Sequence, residues 1–373
     1  MASIMFKPDY LFRNHPQPGQ RWQVADGVHW LHFPLPMALN HVNVWLLDDA
    51  DGWLLVDTGL GSTASRELWD TVIRDALDDK PIRRIVVTHY HADHIGLAGW
   101  LARRFDAEVL ITHAEWSAAQ QLHGCSDADC DHRYRQLLSA HGLHGTDLEA
   151  AAGGGNGYRR IVAELPPSAQ FIAAGEALTI GGREWRVHIG HGHAPEHACL
   201  YRADDHLLVA GDQVLPRISS NLSVSPEEPD TDLICPFLES LQALKTALPA
   251  DTLVLPGHGR PFRGLGERVD DLHRHHRRQL DAVERACRDQ PQTACQLLPV
   301  LFQRELNGFQ MMLAMGEAIA HLNCLRAHGR AHGAFHSGCW HFRSSMDNRA
   351  AGRDDEERDK ENIEAAKPVR ACR

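Results

Sequence analysis

THYHADHIG, Thr88 to Gly96, packs His89, His91, Asp93 and His94 into six positions directly after the apolar run Ile85, Val86, Val87. A strand that ends in such a cluster presents several side chains from one short loop to one point. His89 and His91 are two apart and face the same side, while Asp93 and His94 turn toward a second point nearby. Imidazole nitrogens mixed with carboxylate oxygens suit a divalent metal such as zinc, and the supply is large enough for two ions. In a chain with 26 histidines, one such string alone arises by chance.

Later stretches repeat the design of a β run, a small residue, then a ligand-type side chain. GHGHAPEH (Gly190 to His197) follows an alternating apolar stretch, VAGDQV (Val209 to Val214) carries Asp212, and VLPGHG (Val254 to Gly259) carries His258. Upstream, LLVDTG (Leu54 to Gly59) carries Asp57. Order, context and residue types together resemble the metallo-β-lactamase fold superfamily over roughly the first three quarters of the chain. The resemblance implies an α/β fold, a four-layer αββα sandwich. It also implies two metal sites: His89, His91 and His193 on one ion, Asp93, His94 and His258 on the other, with Asp212 bridging. His193 is preferred to His191 because GHAPEH is similar to the family's GHTPGH, with Glu196 in place of the glycine. His191 and His197 then play supporting parts, and Asp57 hydrogen-bonds a ligand imidazole and fixes its tautomer. The alternative, seven polar side chains left unpaired beside buried strands, is costly.

The chain of 373 residues is long enough for a large domain and a smaller one, and 43% hydrophobic residues support a core. A formal charge of −11 argues against general affinity for nucleic acid or an anionic membrane. No secretory signal or spanning stretch is visible, and nine scattered cysteines fit a reducing cytosol, so a cytoplasmic location is expected. Cys125 and Cys130 read as free thiols of a surface loop rather than as a further metal site with His132.

Strands are expected between residues 24 and 56, a helix over 65–77, a strand at 85–87, a helix over 96–105 and a strand at 109–112. Between about 114 and 166 the alternation fails. Helices at 115–122 and 133–140 and the flexible break GGGNG (Gly153 to Gly157) read as an insertion, either a lid or a mobile linker. Residues 1–264 thus form the catalytic domain. From Leu265 an amphipathic helix places Leu265, Val269, Leu272, His276, Leu280 and Val283 on one face and carries HRHHRR, read as solvated. Further helices and a hairpin turning at Ser337–Gly338 make 265–344 similar to the winged-helix-like C-terminal domain of some hydrolases of this superfamily. The acidic charge makes it a packing or homodimerisation unit rather than a DNA reader. The charged segment 345–373 is expected to be disordered.

The resemblance implies a hydrolase whose two divalent ions, zinc with iron or manganese as alternatives, share a bridging hydroxide, since a metal lowers the pKa of water to about 7. Asp93 and Asp212 lower the charge on the metals and accept the water's proton. The expected substrate is a small-molecule acyl thioester or related ester. The alternatives are an endoribonuclease or lactonase of the same fold, and a single-iron dioxygenase. His41, Tyr90, Arg217 and Asn221, together with Asn40 and Ser219, adjoin the metal loops and are expected at the substrate; Arg217 suits a carboxylate or phosphate.

Overall fold

A computed structural model describes residues 6–37 and 39–346. The chain begins with β1 (Asp9–Tyr10), β2 (Trp22–Ala25), β3 (Val28–Pro34), β4 (His41–Asp49) and β5 (Gly52–Val56). Then come α1 (Thr63–Asp75), β6 (Ile82–Val86), α2 (Ala92–Ile95), α3 (Ala98–Phe105) and β7 (Glu108–Ile111). Helices α4 (His113–Gly124), α5 (Asp127–Ala140), α6 (Gly145–Ala152) and α7 (Gly157–Ile161) precede β8 (Gln170–Phe171). The next set is β9 (Ala177–Ile180), β10 (Arg183–Gly190), β11 (His197–Arg202), β12 (Leu207–Gly211), α8 (Ile234–Ala247), β13 (Leu253–Pro256) and β14 (Phe262–Arg263). The C-terminal region holds α9 (Leu265–Asp289), α10 (Ala294–Leu301), α11 (Gly308–Ala327) and the hairpin β15 (Ala331–His336) and β16 (Cys339–Ser344).

Side-chain alternation explains the layering. Strands β2 to β8 form one sheet in sequence order, and β1-β14-β13-β12-β11-β10-β9 form the other. Along β4, Val42, Val44 and Leu46 face α1 and α3, while Trp45 and Leu47 face the second sheet. Along β12, Leu207 and Val209 face the first sheet, and Leu208 and Ala210 face α8, α9 and α11. A strand apolar on both faces must be covered twice, so three cores separate four layers: helices, sheet, sheet, helices. This is the expected αββα sandwich with a helical C-terminal region. Among the described residues no helix is long and apolar enough to cross a membrane.

The C-terminal helices share the core of the second sheet. Val269, Leu272 and Val283 of α9 and Met315, Ile319 and Leu322 of α11 belong to the same cluster as Leu208, Val254 and Phe237. The six apolar-face positions read from the sequence of α9 are all buried. The hairpin turns at Ser337 (φ 52°) and Gly338 (φ 81°), successive left-handed residues that match strand twist.

Some expectations are corrected. The insertion is no mobile linker: Leu137, Leu138, Ala151 and Ala152 of α5 and α6 enter the core with α11, and Ala119 of α4 enters the core of the first sheet. The GGGNG break is pinned. The Gly155 N–H donates to Asp131, the Asn156 N–H to Asp127, and the Asn156 amide to the carbonyls of Leu122 and Cys125. Cys125 and Cys130 are buried, not on a surface loop. HRHHRR is solvated at its arginines, but His276 is fully buried. Apart from Ser345 and Met346, the expected tail lies outside the described residues.

His321 on α11 is buried, and its ring lies 6.1 Å from that of His276. Burial pushes its pKa down to about 4 from 6.5, with the charge of His275 adding to the effect. The folded form therefore binds this proton less well than the unfolded chain, and its contribution to stability is full above pH 6.5 and is lost as the pH falls toward 4. Glu317, pushed up to about 7 by burial, titrates with the opposite sign. His321→Leu keeps Glu317 and removes the histidine, so its melting temperature should fall less between pH 7 and pH 4.5 than that of the parent chain. Parallel curves in a thermal melt series would refute this.

Candidate metal centre

Strand direction gathers the chemistry at one edge of the sandwich. β5 and β6 are parallel, β12 and β13 are parallel, and β10 runs the same way as β12 through the antiparallel β11. Their C-terminal ends therefore lie together. Asp57 follows β5, His89 and His91 follow β6, His193 follows β10, Asp212 follows β12 and His258 follows β13. Asp93 and His94 lie on α2. The ladder between β12 and β13 shifts register at Gly211, where φ is 48°, and this irregularity aims Asp212 inward.

One ring nitrogen from each of His89, His91 and His193 meets the others. His89 Nε2 is 2.9 Å from His91 Nδ1, His91 Nδ1 is 3.1 Å from His193 Nε2, and His193 Nε2 is 3.2 Å from His89 Nε2. Zinc–nitrogen bonds of about 2.0–2.1 Å in tetrahedral geometry place ligand atoms about 3.3 Å apart, so the triangle has the size of one coordination face. The outer nitrogens explain why lone pairs point inward. His193 Nδ1–H donates to the Asn221 carbonyl at 2.8 Å. The Thr88 hydroxyl donates to Asp57, so His89 Nδ1–H donates to Thr88 Oγ1 at 2.9 Å. The Nε2 lone pairs of His89 and His193 then converge, an arrangement that a cation stabilises.

A second group adjoins it. His258 Nε2 lies 3.4 Å from Asp93 Oδ2 and 3.1 Å from Asp212 Oδ2, and His94 Nε2 lies 3.5 Å from Asp212 Oδ1. Asp212 Oδ2 is also 3.7 Å from His193 Nε2, so this carboxylate stands between the two sets. Here too the outer nitrogens are engaged. His94 Nδ1 donates to Asp57 at 2.7 Å and His258 Nδ1 to the His41 carbonyl at 2.5 Å. His94 Nε2 and Asp212 Oδ1 are buried without a hydrogen-bond partner. Donor types, spacing and orphaned atoms fit divalent metal ions. Electrostatics agree. Burial works against a charge on His94, yet Asp57, Asp212 and Asp93 push its pKa well above the usual value. Burial likewise opposes the charge on Asp212, yet His258 and His94 hold it well below the carboxylate range. His89 and His91 are pushed down by burial and by their neighbouring imidazoles, so they stay neutral.

Supporting residues come from distant elements. Asp57 accepts from the Thr88 N–H and hydroxyl as well as from His94. The His197 ring accepts the Asp212 N–H at 3.0 Å and stacks on His89, while exposed His191 bonds the Pro195 carbonyl. A side chain at Gly257 would place its Cβ 2.2 Å from Asp212 Oδ1, so that position must stay bare. His41 and Asn221 reach the centre through their carbonyls. The Asn221 side chain caps Ser223, and the His41 ring accepts the Gly259 N–H. The Tyr90 ring packs on His91 at 4.6 Å, and its carbonyl accepts the Tyr158 hydroxyl of the insertion, which thus walls this side. Arg217 is exposed and donates to the Tyr10 hydroxyl, and Ser219 bonds His276.

Two further residues were not legible in the motifs. Buried Glu115 of α4 accepts the Tyr90 N–H at 2.9 Å and the Glu196 N–H at 2.7 Å, tying the His91 loop to the His193 loop. Buried Asn43 of β4 donates to the Pro256 and Gly259 carbonyls, each at 2.8 Å, and so holds the His258 loop on the first sheet. A polar residue inside an apolar β run was the only available signal for Asn43.

Residues 38–258 match the Metallo-beta-lactamase superfamily. The chain belongs to that superfamily. Residues 280–345 match the Metallo-beta-lactamase-like, C-terminal domain. The chain is similar to a beta-lactamase domain protein from Burkholderia ambifaria, with a TM-score of 0.82 and 38% identity over 91% of this chain and 97% of that one. It is 26% identical to the probable metallo-hydrolase YqjP of Bacillus subtilis over 81% of this chain and 93% of that protein. Over 51% of its length it is 25% identical to the human acyl-coenzyme A thioesterase MBLAC2, spanning 64% of that protein.

Asp57 has a left-handed backbone (φ 62°), which asparagine also tolerates. Asp57→Asn should therefore leave the fold intact yet weaken the hold on His94 and Thr88. Metal affinity, measured by competition with a chromophoric chelator, should drop by about 10–100-fold. An unchanged affinity would remove Asp57 from the support of the centre.

Proposed function

We propose that this chain is a binuclear metal-dependent hydrolase acting on acyl thioesters. The observation that carries the metal assignment is the convergence of seven His and Asp side chains within the superfamily match, with His94 Nε2 and Asp212 Oδ1 left buried without a hydrogen-bond partner. His89, His91 and His193 would hold one divalent ion, Asp93, His94 and His258 the other, with Asp212 between them; zinc suits this donor set. Bound there, the ions would acidify a water at neutral pH and polarise the attacked carbonyl.

The remaining work belongs to the chain. Outer hydrogen bonds to Thr88, Asp57, Asn221 and His41 fix the imidazole tautomers. The Asp93 side chain is 18% exposed against 8% for Asp212, so Asp93 is the carboxylate that solvent reaches. The Asp93 carboxylate would accept the proton lost by the attacking water. Packed behind the cluster, the aromatic faces of Tyr90 and Tyr158 exclude bulk water on the insertion side. No acid is needed for the leaving group, because a thiol with a pKa near 8.5 departs as thiolate. The thioester is favoured by the likeness to MBLAC2, whose name states that activity, and by the charge of −11, which repels a polyanionic RNA.

Zinc-reconstituted protein should hold two ions per chain and His258→Ala close to one, read by elemental analysis. Asp212→Asn should lose turnover by orders of magnitude while keeping its melting temperature, since one amide oxygen cannot stand in for both carboxylate oxygens. A panel of acyl thioesters, lactones and RNA compared by kcat/KM at fixed salt tests the substrate. Processing of RNA or a lactone ahead of every thioester would overturn the reading, and a single tightly held iron would overturn the two-metal centre.

A further inference from the structure

Two arginines leave the metal-centre loops together. Arg217 follows Asp212 by five residues and Arg260 follows His258 by two. Their loops touch, since a Cβ on Gly259 would sit 2.6 Å from Pro216. Both guanidinium groups gather on Tyr10. Arg260 Cζ lies 3.8 Å above the ring, Arg217 Cζ lies 6.0 Å from its centroid, and Arg217 Nε donates to the Tyr10 hydroxyl at 3.1 Å. Tyr10 is placed there by pairing of β1 with β14, in which it lies opposite Phe262.

Neither arginine has a carboxylate partner among the described residues, although acidic groups exceed basic ones by 49 to 38. Most other arginines on the described surface sit in such pairs. Arg260 spends Nη1 on the backbone carbonyls of Phe12 and Arg13. This leaves Nε and Nη2 of Arg260, and both Nη atoms of Arg217, free to donate. Contacts lead from this cluster to the metal centre. Arg260 adjoins Gly259, whose N–H donates to the His41 ring at 2.8 Å; the His15 ring lies 4.6 Å from that of His41, and the His41 ring lies 6.3 Å from that of His258. His15 Nε2 is itself buried without a hydrogen-bond partner.

Guanidinium forks with free N–H groups are suited to phosphate oxygens, and planar stacking on tyrosine preorganises them. We propose that Arg217 and Arg260, held on Tyr10, form a subsite for the phosphate groups of the substrate's leaving portion, so that the thioester is one of a phosphorylated pantetheine carrier such as coenzyme A. This rests on the thioester reading above and adds the part of the substrate that is recognised.

The test uses full-length zinc-loaded protein and one acyl group carried on coenzyme A, on pantetheine and on glutathione. The parent chain should favour the coenzyme A ester over the pantetheine ester by about tenfold or more in kcat/KM, through KM. In the double variant Arg217→Ala, Arg260→Ala that ratio should fall toward one, and Arg→Lys at both positions should restore part of it. A ratio near one in the parent chain, or a ratio that survives in a double variant of unchanged melting temperature, overturns the subsite. A larger loss with the glutathione ester than with the coenzyme A ester reassigns it to carboxylates and overturns the phosphate claim. If no thioester is hydrolysed, the thioester reading fails, and calorimetric titration with coenzyme A and inorganic pyrophosphate decides the subsite separately. Binding by the parent chain and not by the double variant supports it; equal binding, or none by the parent, overturns it.

Discussion

One carboxylate sets the orientation of two imidazoles of the centre, His94 and His89. Asp57 accepts three hydrogen bonds, from the Thr88 N–H, the Thr88 hydroxyl and His94 Nδ1. Because Thr88 gives its proton to Asp57, its oxygen is left to accept from His89. A single carboxylate thus fixes tautomers in both sets of candidate ligands. It does so at 1% exposure, where such bonds are strong and a missing one is costly. The left-handed backbone at Asp57 is the strain accepted to put the carboxylate there.

The rest of the molecule holds this arrangement still. Each sheet is covered on both faces, and the cores between layers are built from large side chains such as Trp30, Trp45, Trp53 and Trp185. Glu115 and Asn43 then cross between elements to tie ligand loops to one another and to the opposite sheet. On the other side, buried Arg268 of α9 donates to the carbonyls of Leu215 and Ile218, and Ser220 donates to the carbonyl of Asp212. Ligands on short strand-end loops with such support lose little geometry to thermal motion.

What was legible in the sequence was what is local in it. Ligand positions follow from strand ends, and each strand end is marked by a β run and a small residue within a few positions, as at Gly211–Asp212 and Gly257–His258. The period of α9 was equally open to reading, because its face repeats every three or four residues. Long-range pairings were not. Nothing near Glu115 says that its carboxylate will join two loops some 25 and 81 residues away in the chain. The docking of α5 and α6 on α11 likewise joins segments far apart, so the insertion looked loose. The histidine run on α9 read as solvated because the arginines around it are, while His276 falls on the buried stripe.

The shared core of the C-terminal helices bears on how the chain is made. Synthesis runs from the N-terminus, and the first sheet with α1 and α3 can form as it emerges. The loop carrying the Asn221 carbonyl is gripped by Arg268 and, through Ser223, by the Leu313 carbonyl of α11. Arg268 leaves the ribosome 47 positions after Asn221 and Leu313 92 positions after it. This support for the last imidazole therefore closes only once α11 has been made, so a nascent chain that stops short of α11 lacks part of the frame of the candidate metal centre.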